Sequence, residues 1–144
     1  MAKNDSFSFT VWGVQPAPQG SKKYVGMRRT KAGNNIPLIV EASAGLPAFR
    51  SAIEKAVRDG KGVDDGVWFS GAVRVDAVFY CRKPKSIKTQ HMTSFTDVDK
   101  LCRSLLDAIT KGEIWLDDRQ VIELNAVKLW ATGEPGVAVT ITAI

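Results

Sequence analysis

Two cysteines and one histidine are all that the 144-residue chain offers in soft or imidazole metal ligands. Cys81 and Cys102 stand far apart without CxxC spacing, so neither a zinc knuckle nor a disulfide framework is suggested. His91 falls in an expected loop with no second His or Cys nearby, which argues against a histidine metal site or general base. No apolar run is long enough to cross a bilayer, and the opening MAKNDSFSFT lacks an apolar h-region. The chain therefore reads as cytoplasmic and reduced, with no membrane partner. Repeats and low-complexity tracts are missing too. Acids are in the minority: 15 Asp+Glu against 20 Lys+Arg leave a net charge of +5. Such a surplus favours an anionic partner, of which nucleic acid is the commonest.

What is present is an ordinary globular balance, 44% hydrophobic and 24% charged, in a length that suits one domain with a sizeable core. Ser6 to Val14 alternates Phe7, Phe9 and Val11 against Ser8 and Thr10, which predicts a half-buried strand. Residues 15–35, QPAPQGSKKYVGMRRTKAGNN, are rich in Pro, Gly and cations, hence a long basic loop or loose hairpin. Leu46, Phe49, Ile53 and Val57 recur at helical spacing, with Pro47 suited to a first turn and Gly60 to the stop. DGKGVDDG, 59–66, reads as a surface connection. Gly71 to Tyr80 alternates again, Val73, Val75 and Phe79 opposing Arg74 and Asp76. From about Asp97 to Lys111, Val98, Leu101, Cys102, Leu105, Leu106 and Ile109 mark one stripe of a second helix, followed by Gly112 as the stop. β-rich segments at about Val121 to Ala131 and Val137 to Ile144 close the chain, with TGEPG as the turn between them. This order predicts a single α+β domain over 1–144. Its sheet is mainly antiparallel or mixed, with two principal helices packed on it.

Within this basic chain one stretch collects acids: FTDVDKLCRSLLDAITKGEIWLDD, residues 95–118, with Asp97, Asp99, Asp117 and Asp118. Like charges repel when brought together, so something positive must sit among them. Asp97 or Asp99 can simply cap the second helix, Thr96-x-x-Asp99 resembles a capping box, and Asp117-Asp118 can be a polar turn before a strand. Taken jointly the pairs say more. A helix rises about 1.5 Å per residue, so a short turn and the following strand can return Asp118 beside Asp97 and Asp99. Three converging carboxylates make a hard-oxygen site for Mg²⁺ or Mn²⁺. Such an ion activates water and polarises a phosphodiester, which suits a basic, DNA-binding protein.

The cations fall where that chemistry needs them. Arg82, Lys83, Lys85 and Lys88 form an acid-free run just upstream of the acidic helix. Lys22, Lys23, Arg28, Arg29 and Lys31 form another in the early basic segment. Each run taken alone is a solvated face; the two flanking one acidic cluster point to phosphate contacts. Lys100 and Arg103 follow the acids on the same helix, and Arg103 is either a salt-bridge partner of Asp99 or Asp107 or the holder of the scissile phosphate. Cys102 reads as core. Trp12, Trp68, Trp115 and Trp130 read as packing beside strands, and Phe95 is the aromatic placed to meet an unpaired base.

DVDKLCRSLLDAITKGEIWLDDRQV, Asp97 through Val121, resembles the core motif of the RusA family of Holliday-junction resolvases. That motif runs D-x-D-[N/K]-L, a helix carrying D-A-L/I, a Gly turn and x-D-D-x-Q-V/I, and the match is ungapped. Milder similarity covers the first strand with its Pro-rich turn, the helix near Phe49 to Val57 and the closing strands. The resemblance implies a small dimeric endonuclease dependent on Mg²⁺ or Mn²⁺, often phage- or prophage-borne. It would bind branched DNA, four-way junctions above all, and nick two strands symmetrically. It also implies metal ligation by Asp97, Asp99 and Asp118. The family's catalytic basic residue, typically Lys, falls on Arg103, and Lys100 stands where Asn is frequent. Arg is a broad, permanently charged fork and Lys a compact donor, so these departures keep phosphate attraction but change its geometry.

Three rival readings differ in class. One is a nuclease acting on flaps or branched forks more broadly. Another is a DNA-binding module whose chemistry has decayed, which the intact carboxylates oppose. The third takes Asp97-Val98-Asp99 as a sugar-nucleotide DxD; the chain looks too short for that fold, and the sequence suggests no nucleotide-binding βαβ unit.

Overall fold

The computed structural model describes residues 5–20, 22–41, 44–63 and 66–144, with side chains omitted at 22–25, 28 and 36–41. Four strands form the main sheet. β1 (Ser6–Trp12) buries Phe7, Phe9 and Val11 and exposes the residues between them, as its alternation requires. It pairs antiparallel with the last strand, β6 (Gly136–Ala143), with Phe9 opposite Val139. β6 in turn pairs antiparallel with β4 (Val73–Cys81). On its other side β4 pairs parallel with β5 (Val121–Trp130), Ala77 opposite Ala126. The order is β1-β6-β4-β5, a mixed sheet in an α+β fold. Thus the two closing strands are not a hairpin: β4 lies between them, and residues 131–135 carry the chain across it.

A separate two-stranded ribbon, β2 (Lys22–Arg29) with β3 (Asn35–Glu41), occupies much of the basic segment, so the hairpin alternative holds there. Its pairing is interrupted between Tyr24 and Met27, around Gly26 at φ +132°.

The helices α1 (Leu46–Lys61) and α2 (Val98–Lys111) contact each other, and their apolar stripes join the inner sheet face in one core. Phe49, Ile53, Val57, Leu101, Leu105 and Ile109 are fully buried there. Of the two glycines expected to end the helices, only Gly112 does. Gly60 does not stop α1, which runs on to Lys61 and ends at Gly62. A Cβ on Gly60 would come within 2.8 Å of the Phe7 ring, so its smallness lets the helix approach β1. Gly112 does follow α2, but with ordinary φ of −74°; a Cβ there would meet Val57 at 2.6 Å, and the positive φ falls on Glu113. Both are close-approach glycines.

A parallel strand pair needs a crossover, and α2 supplies it: β4, α2 and β5 form a βαβ unit that the sequence reading did not anticipate. The connection from β4 to α2, residues 82–97, contains no glycine, so it is no Gly-rich phosphate loop.

Candidate active site

Asp99, Arg103 and Asp107 are spaced four residues apart on α2, which puts them along one face. The segment QPAPQG, 15–20, lies along the same helix as a strap. The Gln19 amide donates to the Lys100 carbonyl at 3.0 Å, and its side-chain Nε2 donates to Asp107 Oδ2. The buried Ser104 hydroxyl donates to the Ala17 carbonyl at 2.7 Å, which explains a polar residue inside the apolar stripe. Gly20, at φ +98°, ends the strap beneath Arg103; a Cβ would sit 2.5 Å from the guanidinium Nη1. Any side chain there would displace Arg103.

Asp117 and Asp118 are held from the other side. Ile114 and Trp115 anchor the chain in the core, the indole donating to Thr110 Oγ1 at 2.7 Å. A 3-10 turn (Asp118–Gln120) follows, capped by Asp117, whose carboxylate accepts from the Arg119 amide at 2.9 Å. Gln120 completes the capping box and does more. Its Oε1 accepts from the amides of Leu116 and Asp117 at 2.8 and 3.1 Å. Its Nε2 donates to the carbonyls of Phe69 and Gly71 at 2.9 and 2.8 Å. Every hydrogen-bonding position of this carboxamide is used to hold the turn that carries Asp118.

Between helix face and turn lies a cavity of about 530 Å³, lined by Asp99, Arg103 and Asp118 with Val98, Cys102, Leu106, Leu124 and Ala126 as apolar walls. The neighbouring aspartates of the turn shift apart. Burial, then the Asp117 carboxyl, raise the pKa of Asp118, and the charge of Asp107 adds to the effect. The Arg119 amide, donating to Asp117, lowers that of Asp117. Burial pushes the Cys102 thiol up to about 11, with Asp99 contributing, so it is a neutral wall of the cavity at pH 7.

Asp97 stands apart. It is the N-cap of α2 without a side-chain cap bond, 67% exposed, and paired with Lys100 Nζ at 3.4 Å. The reason is topological. In a βαβ unit the helix runs back against its strands, so the start of α2 lies by the end of β5: Lys128 Nζ donates to the Thr96 carbonyl at 2.6 Å. Asp118, before the start of β5, lies instead toward the later turns of α2, near Asp107. Among the described residues no three His, Cys, Asp or Glu side chains gather as a closed metal cage. Thr96-x-x-Asp99 is not a capping box here, since α2 has no side-chain cap bond and the Thr96 hydroxyl is buried without a partner.

Arg82, Lys83, Lys85 and Lys88 are all exposed on the connection leading into α2, and Arg29 and Lys31 are exposed at the hairpin tip. The side chains of Lys22, Lys23 and Arg28 lie outside the described part of the structure. His91 is exposed in the connection after β4.

One acid of the DxD, the cation one turn on and one acid of the DD turn thus line one cavity. The family model for endodeoxyribonuclease RusA matches residues 15–142. The chain belongs to the RusA family. It is 25% identical over 138 residues to a crossover junction endodeoxyribonuclease RusA of Escherichia coli K12, covering 96% of this chain and 95% of that one. The Shigella sonnei protein of that name is 28% identical over the same coverage. The one from Enterobacteria phage 82 is 29% identical over 100 residues, 69% of this chain and 73% of its own. In this RusA-family chain, the sequence alone points to Asp107 only as an ion-pair partner of Arg103. The spacing 99, 103, 107 pointed to the shared face. The roles of Gln19, Gly20 and Gln120 emerge only in the fold; the first two act across more than eighty residues, beyond any local pattern.

Proposed function

We propose that this chain is a metal-dependent, structure-specific endodeoxyribonuclease that resolves four-way DNA junctions by paired, symmetric nicks. The observation that carries the reading is one cavity lined by Asp99, Asp118 and Arg103 in a chain of the RusA family. Two hard carboxylates facing a cavity suit Mg²⁺ or Mn²⁺, since Mg²⁺ is commonly held by one or two carboxylates, with waters and substrate phosphate completing its shell. Burial first, and then the neighbouring carboxyls, raise the pKa of Asp118, and a cation there would relieve both. Asp99 and Asp118 would hold the ion, and Asp97, two residues from Asp99, would supply a third carboxylate on leaving Lys100. A divalent cation contributes Lewis acidity toward a phosphodiester and a lowered pKa for bound water.

The remaining work falls to the chain. Arg103, set by Gly20 and the strap, holds the scissile phosphate and stabilises negative charge that develops there. Lys100, Arg82, Lys83, Lys85 and Lys88, with Lys22, Lys23, Arg28 and Arg29, bind backbone phosphates along the arms. Two symmetric nicks need two such sites, which a two-fold homodimer provides. Support for a dimer comes from the sheet face away from the helices, where Trp12, Val127 and Leu129 are exposed at 52, 40 and 42%. As a protein acting on DNA, the chain would work in the cytoplasm, within host or phage recombination and repair. The domain assignment, one RusA-like unit over 1–144, follows the same reading.

The deciding experiment presents matched synthetic four-way, three-way, flap and duplex substrates with Mg²⁺ or Mn²⁺. Paired symmetric cuts in the four-way junction are expected. Cleavage of flaps in preference would replace the reading with a broader branched-DNA nuclease, and metal-independent binding with no cleavage would make the chain a binding module.

A further inference from the structure

Phe95 occupies a position its side chain does not suit. Its φ is +79°, and the Thr96 amide donates to the Ser94 carbonyl at 3.2 Å, closing a three-residue turn around it. Such a γ-turn is rare and strained, and a bulky L residue at positive φ is an outlier that glycine or asparagine would relieve. Burial does not repay the strain, for the residue is 69% exposed. Instead the ring is propped edge-on against Trp130, with centroids 6.0 Å apart at 75°, while Lys128 clamps the Thr96 carbonyl behind it. Backbone strain held in place by its surroundings is a mark of functional positions.

Its place in the fold gives the ring a task. Leu124 and Ala126 wall the acidic cavity, and Lys128 and Trp130 continue the same face of β5. At about 3.3 Å per residue, Trp130 lies roughly 13 Å beyond Ala126. Phe95 therefore stands at one end of the cavity, two residues before Asp97. The connection it ends exposes Arg82, Lys83, Lys85 and Lys88. Cations along a backbone path with an exposed aromatic at its end is how proteins hold an unpaired nucleotide. The indole Nε1 of Trp130 and the hydroxyl of Thr96, both buried, have no hydrogen-bond partner.

We propose that Phe95, backed by Trp130, is a nucleobase-stacking site that takes an unpaired base at the branch point next to the scissile phosphate. The inference rests on the junction-nuclease reading and deepens it by assigning structural selectivity to a residue outside the acid set. The test is a four-way junction carrying 2-aminopurine at the branch point, bound in Ca²⁺ and compared with duplex, with cleavage of the same junction in Mg²⁺ scored alongside. The parent should change the probe's fluorescence. Phe95→Ala should lose most of that change and about ten- to a hundredfold of the junction-over-duplex affinity ratio, the worth of one stacked base. Phe95→Tyr should restore both. Phe95→Gly, free of the φ cost, should fold as well as the parent and behave like Phe95→Ala. A Phe95→Ala protein equal to the parent in fluorescence and affinity ratio overturns the stacking site. So does a loss seen only with a large drop in Tm in both the Ala and Gly variants. A parent that does not cut the junction overturns the nuclease reading instead, and the fluorescence difference then judges the base contact by itself.

Discussion

Asp118 rides on a turn in which one carboxamide, Gln120, makes four hydrogen bonds. Asp97 ends a segment with a strained Phe95, an unpartnered Thr96 hydroxyl and a helix start without a side-chain cap. The two arms of the acidic site are thus built on different principles. The Asp118 arm is pre-organised: its hydrogen bonds are satisfied locally and anchored by buried Ile114 and Trp115. The Asp97 arm has its backbone held by Lys128 and Trp130 but keeps an exposed carboxylate, so its side chain is the part left to respond to a ligand. A carboxylate fixed by its turn sets geometry in advance, while an exposed one would couple ligand binding to its own ordering.

The largest expected effect comes from removing the charge on either arm. Asp97→Asn, Asp99→Asn and Asp118→Asn should each abolish junction cleavage while leaving junction binding intact, measured by single-turnover cleavage and gel shift. Asp117→Asn should be milder, because Asp117 caps the turn rather than facing the cavity. Should Asp97→Asn cut at the parental rate, the helix-start arm contributes Asp99 alone.

Arg103 lies between the arms and comes next. Arg103→Ala should lose roughly a hundredfold in cleavage rate, the scale of one electrostatic stabiliser, with junction affinity little changed. Gly20→Ala should move the rate the same way with Arg103 still in the chain, since its Cβ would push Nη1 aside. A well-folded Arg103→Ala that cuts at the parental rate would transfer the basic role, Lys100 being the nearest candidate.

Gln120→Ala should turn the rigid arm into a loose one. Four lost hydrogen bonds, partly replaced by water, should cost about 2–3 kcal/mol. That corresponds to a fall of roughly 10 °C in Tm for a domain of this size. The cleavage rate should drop about tenfold and recover in part at high metal concentration, if looseness is the cause. Unchanged Tm and rate would mean that Trp115 alone secures the turn.

The smallest effect distinguishes the two adjacent aspartates in chelator-treated protein. Asp118 has a raised pKa, so its ionisation works against the folded state above that value. Asp118→Asn should therefore raise Tm slightly at pH 7, and the gain should vanish once the pH falls below the ordinary carboxylate range. Asp117 has a lowered pKa; its contribution is present above the unfolded-state value and is lost as pH falls through the folded-state value. Asp117→Asn should lower Tm at pH 7 and not in acid. Thermal melts at the two pH values read both, and shifts of equal sign would contradict the assignment.

Much of this was legible from residues in order. The alternation of Phe7, Phe9 and Val11, the stripes of α1 and α2, and the spacing of Asp99 and Arg103 are local patterns, and local patterns follow from the periods of strand and helix. The basic segment was legible only as loop or hairpin, because the pairing of β2 with β3 is weakly patterned and interrupted at Gly26. Gly112 caps α2 as its place in the sequence suggests, whereas Gly60 lies inside α1. A glycine near a helix end looks the same whether it ends the helix or admits a neighbouring element.

The residues alone determined that Asp99, Arg103 and Asp107 share one helix face, that two acids precede β5, and that cations border both. Which carboxylates meet was decided by topology. Because β4 and β5 are parallel, α2 runs back against them, and Asp118 comes to the later turns of the helix while Asp97 is left by Lys128, Phe95 and Trp130. Likewise the strap from Ala17 to Gly20 acquires its role only once Ser104 and Lys100 are folded against it. Side-chain periodicity is written one residue at a time. The meeting of two distant segments depends on strand order and direction, which the burial of the whole core decides.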